Sequence, residues 1–126
     1  MDPVHPKCIM LVDDDELILK LLNLNFSPCG YHVISCIGGE SAFRTALEAR
    51  PDLIILDIMM PRTDGWKVLE QLKGDERTCD IPVVVLTVKV SPEDRQRAID
   101  MGASRYVAKP FNPSELVQLV EELVGT

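Results

Sequence analysis

Apolar residues are distributed along this chain in two alternating styles. The first style is a short run bounded by turn residues. Leu53-Ile54-Ile55-Leu56 runs straight into Asp57, and Cys8-Ile9-Met10-Leu11-Val12 runs into Asp13-Asp14-Asp15-Glu16. Such runs read as strands buried on both faces. Tyr31 to Cys36, with Val33 and Ile34 inside it, Pro82 to Leu86 ending at Thr87, and Ser104 to Ala108 ending at Lys109-Pro110 complete the set. The second style is helical spacing. Leu17, Ile18, Leu21, Leu22 and Leu24 form one stripe, stopped by Pro28 and Gly30. Ala42, Phe43, Ala46 and Leu47 form another between Gly38-Gly39 and Pro51, and Val68, Leu69 and Leu72 a third between Asp64-Gly65 and Gly74. Ser91-Pro92-Glu93-Asp94 starts a helix with a cap, a proline and acids in its first turn, and Gly102 closes it. Asn112-Pro113-Ser114-Glu115 starts a last helix with Leu116, Leu119, Val120 and Leu123 on one face.

Strict alternation of strand and helix predicts an α/β fold: an open parallel sheet with helices on both faces, joined by right-handed crossovers. For five strands the flavodoxin-like (βα)5 order 2-1-3-4-5 is expected. Residues 1–6, with two prolines, read as a loose tail, and 7–124 as one domain. The chosen order makes the strands ending in Asp13, Asp57, Thr87 and Lys109 neighbours. Their polar ends then converge on the carboxyl edge of the sheet, where open α/β sheets place their chemistry.

Composition narrows the function. A chain of 126 residues, 46% hydrophobic, fills a single core without staples. A net charge of −7 with no basic stretch argues against direct nucleic-acid binding. No apolar run approaches the roughly 20 residues needed to cross a bilayer, and the first residues carry no apolar signal region, so a cytoplasmic protein without membrane contact is expected. Cys8, Cys29, Cys36 and Cys79 form no C-x-x-C pair, and the histidines are His5 and His32 alone. The cysteines therefore read as reduced thiols in or near the core rather than a zinc site or a disulfide scaffold.

Asp13, Asp14 and Asp57 in one concavity need a countercharge. Two like charges about 4 Å apart repel by roughly 4 kcal/mol at an effective dielectric near 20. Lys109 supplies one positive charge, and a divalent ion held by oxygen ligands, Mg²⁺ or Mn²⁺, supplies the rest. Carboxylates, such a metal, a lysine and a hydroxyl are the parts of phosphoryl transfer, with a carboxylate as nucleophile. Each residue also has a plainer role: helix cap for the Asp13-Asp14 pair, helix entry for Thr87, solvated surface lysine for Lys109. The chemical reading requires them to meet. It fails if the Asp57 carboxyl lies beyond roughly 10 Å, a screening length, from both Asp14 and the Lys109 ammonium.

The combination of Asp13-Asp14, Leu56-Asp57-Ile58-Met59-Met60-Pro61 with Asp64-Gly65, Val85-Leu86-Thr87 and Lys109-Pro110-Phe111 closely resembles the CheY-like receiver domain of bacterial two-component response regulators. The resemblance covers residues 7 to 124. It implies that Asp57 is the phosphoacceptor, charged from a histidine kinase, a histidine phosphotransfer protein or a small acyl phosphate. It implies Mg²⁺ on Asp14, Asp57 and the Met59 backbone carbonyl, with Asp13 acting through water. Lys109 would pair with Asp57 and then with the phosphoryl group. Thr87 would hydrogen-bond that group, and Tyr106 would be the aromatic that swings inward with it. A cis Lys109-Pro110 bond is also implied. The protein would be a signalling phosphoacceptor, assisting only its own phosphorylation and dephosphorylation. Its surface over residues 91–124 would act on a downstream partner or output domain.

Some positions depart from the family pattern. Val88 stands where an alanine or another small residue is usual, which predicts narrowed access to Asp57. Met59 and Lys89 occupy positions that tune dephosphorylation, and Lys89 is expected to point into solvent. Asp15 and Glu16 lengthen the acidic run, but Asp13 and Asp14 directly follow the strand. The alternatives are a receiver-like interaction module that is not phosphorylated, and a metal-dependent phosphohydrolase. The latter usually carries a second acid where Met59 stands. A flavin domain would need a phosphate-cradling loop where Asp13 to Glu16 repel phosphate. Trp66, just beyond Asp64-Gly65, is expected to report on the site.

Overall fold

A computed structural model describes residues 6–88 and 91–125. The expectations for residues 1–5 of the tail and for Lys89 lie outside the described residues. Strand β1 (Cys8–Asp13) leads to α1 (Glu16–Phe26) and a single 3₁₀ turn (Ser27–Cys29), then to β2 (His32–Ile37), α2 (Ala42–Ala49) and β3 (Leu53–Leu56). A two-stranded hairpin, β4 (Met59–Met60) and β5 (Thr63–Asp64), precedes α3 (Gly65–Gly74). Then come β6 (Val83–Thr87), α4 (Pro92–Asp100), β7 (Arg105–Ala108) and α5 (Pro113–Val124).

The main sheet is parallel, in the order β2-β1-β3-β6-β7. With the hairpin set aside, this is the expected 2-1-3-4-5. Strand parity assigns the two cores. Ile9, Leu11, Leu53, Ile55, Val84 and Leu86 face α1 and α5, meeting Leu19, Leu22, Phe26, Leu116 and Val120. Met10, Val12, Ile54, Leu56, Val83 and Val85 face the other way, against Ala42, Ala46, Val68, Leu69, Leu72 and Ala98. The three central strands are therefore apolar on both faces, as a parallel sheet under two helical layers requires.

Two expectations are corrected. The stripe Leu17, Ile18, Leu21, Leu22, Leu24 is not the core face of α1. Leu17 is 74% and Leu24 73% exposed, and the buried residues are Leu19, Leu22 and Phe26. The helix is apolar on almost every side, so spacing alone could not choose a face. The second strand runs one residue later than Tyr31–Cys36. Tyr31 is instead a buried residue before it, edge-on to Phe26, with its hydroxyl donating to the Gly125 carbonyl at 2.9 Å. The thiols are all free, and Cys36 is buried whereas Cys29 is exposed.

Caps follow the sequence. Ser91 accepts from the Asp94 amide and Asn112 from the Glu115 amide. Among the described residues no helix is long and apolar enough to cross a membrane.

Candidate functional site

Backbone pairing brings the acidic residues together. The Asp57 amide donates to the Val12 carbonyl at 2.9 Å, and the Gly38 amide to the Asp13 carbonyl at 2.9 Å, so the ends of β1, β2 and β3 are in register. The Lys109 amide donates to the Thr87 carbonyl at 2.8 Å, which ties the exit of β7 to the end of β6. Asp15 caps α1 by accepting from the Leu17 amide. That leaves Asp13 and Asp14 outside the helix.

Asp13, Asp14 and Asp57 each offer an oxygen within 4.8 Å of the others. Asp13 and Asp57 are each 3% exposed, while Asp14 is exposed and opens the cluster to solvent. The Lys109 ammonium donates to Asp13 Oδ2 at 2.8 Å and to Asp57 Oδ2 at 3.1 Å. Asp13 Oδ1 accepts from the Asp15 amide at 3.0 Å, and Asp57 Oδ1 accepts from the Met59 amide at 2.9 Å. Thr87 is wholly buried at the end of β6. The peptide bond between Lys109 and Pro110 is cis.

The charges are unbalanced. Burial pushes the Asp13 carboxyl up, against the downward pull of Lys109 and the Asp15 amide, and Asp57 adds to the rise. Burial also opposes the Lys109 ammonium, but the pairings with Asp13 and Asp57 outweigh it and hold the lysine above its ordinary value. The shared Lys109–Asp13 contact thus meets opposite net outcomes on its two partners. The lysine's direction decides the resting state, because a 2.8 Å contact with an ammonium favours an ionised carboxylate at neutral pH. Three carboxylates against one ammonium leave a local excess of negative charge. The donors are all oxygens, and one carboxylate faces solvent. That set suits a hard divalent cation that keeps some of its waters, and offers no sulfur or imidazole for zinc.

Several features were not foreseen from sequence. Met59 contributes its amide to Asp57, and its side chain is exposed. The Asp64-Gly65 turn is a packing requirement: a Cβ on Gly65 would stand 2.5 Å from the Ile58 carbonyl oxygen. Beside Asp14 a cleft of roughly 500 Å³ opens between Ile37-Gly38, Glu40 and the Met60–Thr63 turn. Trp66 lies in the first turn of α3, half-buried, with the Arg97 guanidinium 4.1 Å above its ring centre. Tyr106 is half-buried on β7, and burial, with the Asp94 carboxylate, raises its hydroxyl's pKa.

Comparison with known proteins agrees with this geometry. Residues 9–121 match the response regulator receiver domain. The chain is 39% identical over 92% of its length to the DNA-binding dual master transcriptional regulator RpaA of Synechocystis, covering 48% of that protein. It is 38% identical over 94% of its length to the alkaline phosphatase synthesis transcriptional regulatory protein PhoP of Bacillus subtilis, again covering 48%. The chain thus spans about half the length of the curated relatives it matches. Among solved structures, the chemotaxis protein CheY4 of Vibrio cholerae superposes with a TM-score of 0.88 at 28% identity, over 94% of this chain and 99% of that one. The receiver domain of a sensor histidine kinase from Pseudomonas aeruginosa superposes with a TM-score of 0.85 at 27% identity, over 97% and 100%. That structure has a magnesium ion coordinated in its active site cleft.

Proposed function

This chain belongs to the response regulator receiver domain family of two-component signalling, and from that premise we propose that Asp57 is its phosphoacceptor. Residues 7–124 act as the receiving unit. The observation that carries the reading is the Lys109 ammonium bridging Asp13 and Asp57 at 2.8 and 3.1 Å across the ends of β1 and β3.

Asp57 attacks the phosphorus of a phosphohistidine on a histidine kinase or phosphotransfer protein, or of a small acyl phosphate. The new bond is an acyl phosphate on Asp57, and the donor leaves with the electron pair of the broken bond. The Met59 amide and Lys109 hold the carboxylate in place. Lys109 then follows the charge onto the phosphoryl oxygens, and the buried Thr87 hydroxyl donates to one of them. Asp14, Asp57 and the Met59 carbonyl would hold Mg²⁺ or Mn²⁺, with Asp13 acting through a water. The ion supplies charge neutralisation for the phosphoryl oxygens. The protein assists its own phosphorylation and hydrolysis and turns over no separate metabolite.

The added charge at the strand ends draws Thr87 and Lys109 inward, and Tyr106 follows, so the face formed by residues 91–124 changes shape. That face addresses a downstream protein or output domain. RpaA is DNA-binding; here a net charge of −7 argues against direct contact between this unit and DNA. The reading is tested by incubating the protein with acetyl phosphate and measuring its mass. Labelling is expected only with Mg²⁺ and is lost in Asp57→Asn. Labelling that persists in Asp57→Asn shows the acceptor is another residue.

A further inference from the structure

Helix α4 buries little apolar surface. Of the residues Pro92–Asp100 only Ala98 is buried, and Ile99 is exposed. By contrast, α3 buries Val68, Leu69 and Leu72, and α1 buries Leu19, Leu22 and Phe26. A helix with one buried alanine has almost no apolar stripe to fix its position. Besides the Asp94 carboxylate, which acts on the Tyr106 hydroxyl from its first turn, it has a side-chain contact near its C-terminal end: Arg97 lies over Trp66, 4.1 Å from the ring centre. Trp66 is a firm base, since it packs against the core under α3 and its amide caps onto Asp64 at 2.9 Å.

The two partners ride on different segments leaving the site. Trp66 is carried by the segment that follows Asp57, and Arg97 by the segment that follows Thr87. A guanidinium interacts with a ring only within about 6 Å of its centre. From 4.1 Å a displacement of about 2 Å directly away from the ring takes the cation out of that range.

We propose that the Arg97–Trp66 stack is a latch that holds α4 against α3 in the unphosphorylated protein and opens when Asp57 is phosphorylated. The proposal rests on the phosphoacceptor reading above and adds the contact that sets the resting position of the 91–124 face. Movement of Thr87 toward a phosphoryl group pulls the chain entering α4, while Trp66 stays with the core. The latch therefore breaks because one partner moves and the other does not.

The test uses the whole chain, whose single tryptophan makes emission a direct report on Trp66. Hydrogen exchange of the α4 amides is measured in wild type, Arg97→Gln and Arg97→Lys, before and after labelling with acetyl phosphate and Mg²⁺. In the unlabelled protein, Arg97→Gln is expected to exchange about two- to fivefold faster in α4, the factor that follows from a contact of about 0.5–1 kcal/mol. Exchange in α5 is expected to be unchanged, and Arg97→Lys to fall between the two. After complete labelling, wild type is expected to match Arg97→Gln in both α4 exchange and Trp66 emission. Equal α4 exchange in unlabelled wild type and Arg97→Gln overturns the latch. A wild-type difference that survives labelling overturns its opening. If wild type takes no label, the phosphoacceptor reading falls and the opening falls with it, while the unlabelled comparison still decides whether the stack holds α4.

Discussion

The Lys109 ammonium stands 3.1 Å from the Asp57 carboxylate and reaches it from the far side of β6, two strands away in the sheet. This contact makes the end of β3 dependent on the end of β7. It also explains how two nearly buried acids persist side by side: each shares the same cation, which their combined pull keeps charged.

Removing that cation leaves Asp13 and Asp57 buried without a protein countercharge. Lys109→Met is therefore expected to destabilise the metal-free protein by about 2 kcal/mol, less than the roughly 3–5 kcal/mol of a fully buried broken pair because Asp14 opens the site to water. Denaturant titration at pH 7 checks it. The sign with pH follows from the raised folded value of Lys109. Its pairing contributes fully below the ordinary lysine value of about 10.4 and is lost as pH rises through the higher folded value. The gap between wild type and variant should stay constant from neutral pH upward until strong alkali closes it.

Divalent binding should stabilise the fold. At a free Mg²⁺ concentration ten times its dissociation constant, linkage gives about 1.4 kcal/mol, readable as a rise in Tm. Asp14→Asn is expected to remove most of that rise. It should also raise the metal-free Tm slightly, since it deletes one of three clustered like charges. A Tm that responds to Mg²⁺ equally in wild type and Asp14→Asn would place the ion elsewhere.

Gly65 and Gly74 open and close α3 and should respond oppositely to alanine. At Gly65 the new Cβ meets the Ile58 backbone, 2.5 Å from its carbonyl oxygen. The segment after Asp57 must then move, at a cost of about 2 kcal/mol and with slower labelling of Asp57. At Gly74 nothing lies within 4 Å, so alanine should stabilise the helix by up to about 1 kcal/mol. Paired denaturation curves separate the two.

Asp75 accepts from Arg77 at 2.8 and 3.0 Å and from the Arg77 amide at 2.8 Å. These contacts hold its carboxyl at about 2. A depressed folded value stabilises above the ordinary aspartate pKa, and the contribution is lost as pH falls through the folded value. Carboxyl resonances followed by acid titration should show Asp75 ionised down to about pH 2. In Arg77→Gln the titration should return toward 3.9, the ordinary aspartate value.

Much of this was legible because parallel strands advertise themselves. Leu53–Leu56 and Val83–Leu86 are apolar on both faces, and each ends in a polar residue, Asp57 and Thr87, at the edge where ligands bind. Alternation then implies a parallel sheet, the flavodoxin-like pattern for five strands supplies the order, and the meeting of Asp13, Asp57 and Lys109 follows from that order. What could not be read depended on facing partners. An α1 rich in leucine on several sides hides which side is buried. The Met59–Asp64 hairpin is too short to show a period. Arg97 over Trp66 joins two helices whose relative placement no local pattern encodes.

Val88 is where sequence and structure together raise a kinetic question. It follows the buried Thr87 and is 63% exposed, so its branched side chain lies outside the core. An exposed valine changed to alanine shifts stability by no more than about 0.5 kcal/mol, so Val88→Ala separates access from folding. If the branch obstructs the approach to Asp57, both the acyl phosphate donor and the hydrolytic water pass the same obstruction. The labelling and hydrolysis rates should then rise together, by about fivefold if the obstruction adds 1 kcal/mol to each barrier. The steady-state level of labelled protein would change much less than either rate. Time courses with acetyl phosphate, followed by chase after donor removal, resolve the two rates. A change in hydrolysis alone would mean that Val88 acts on the attacking water, and unchanged rates would mean that it obstructs neither.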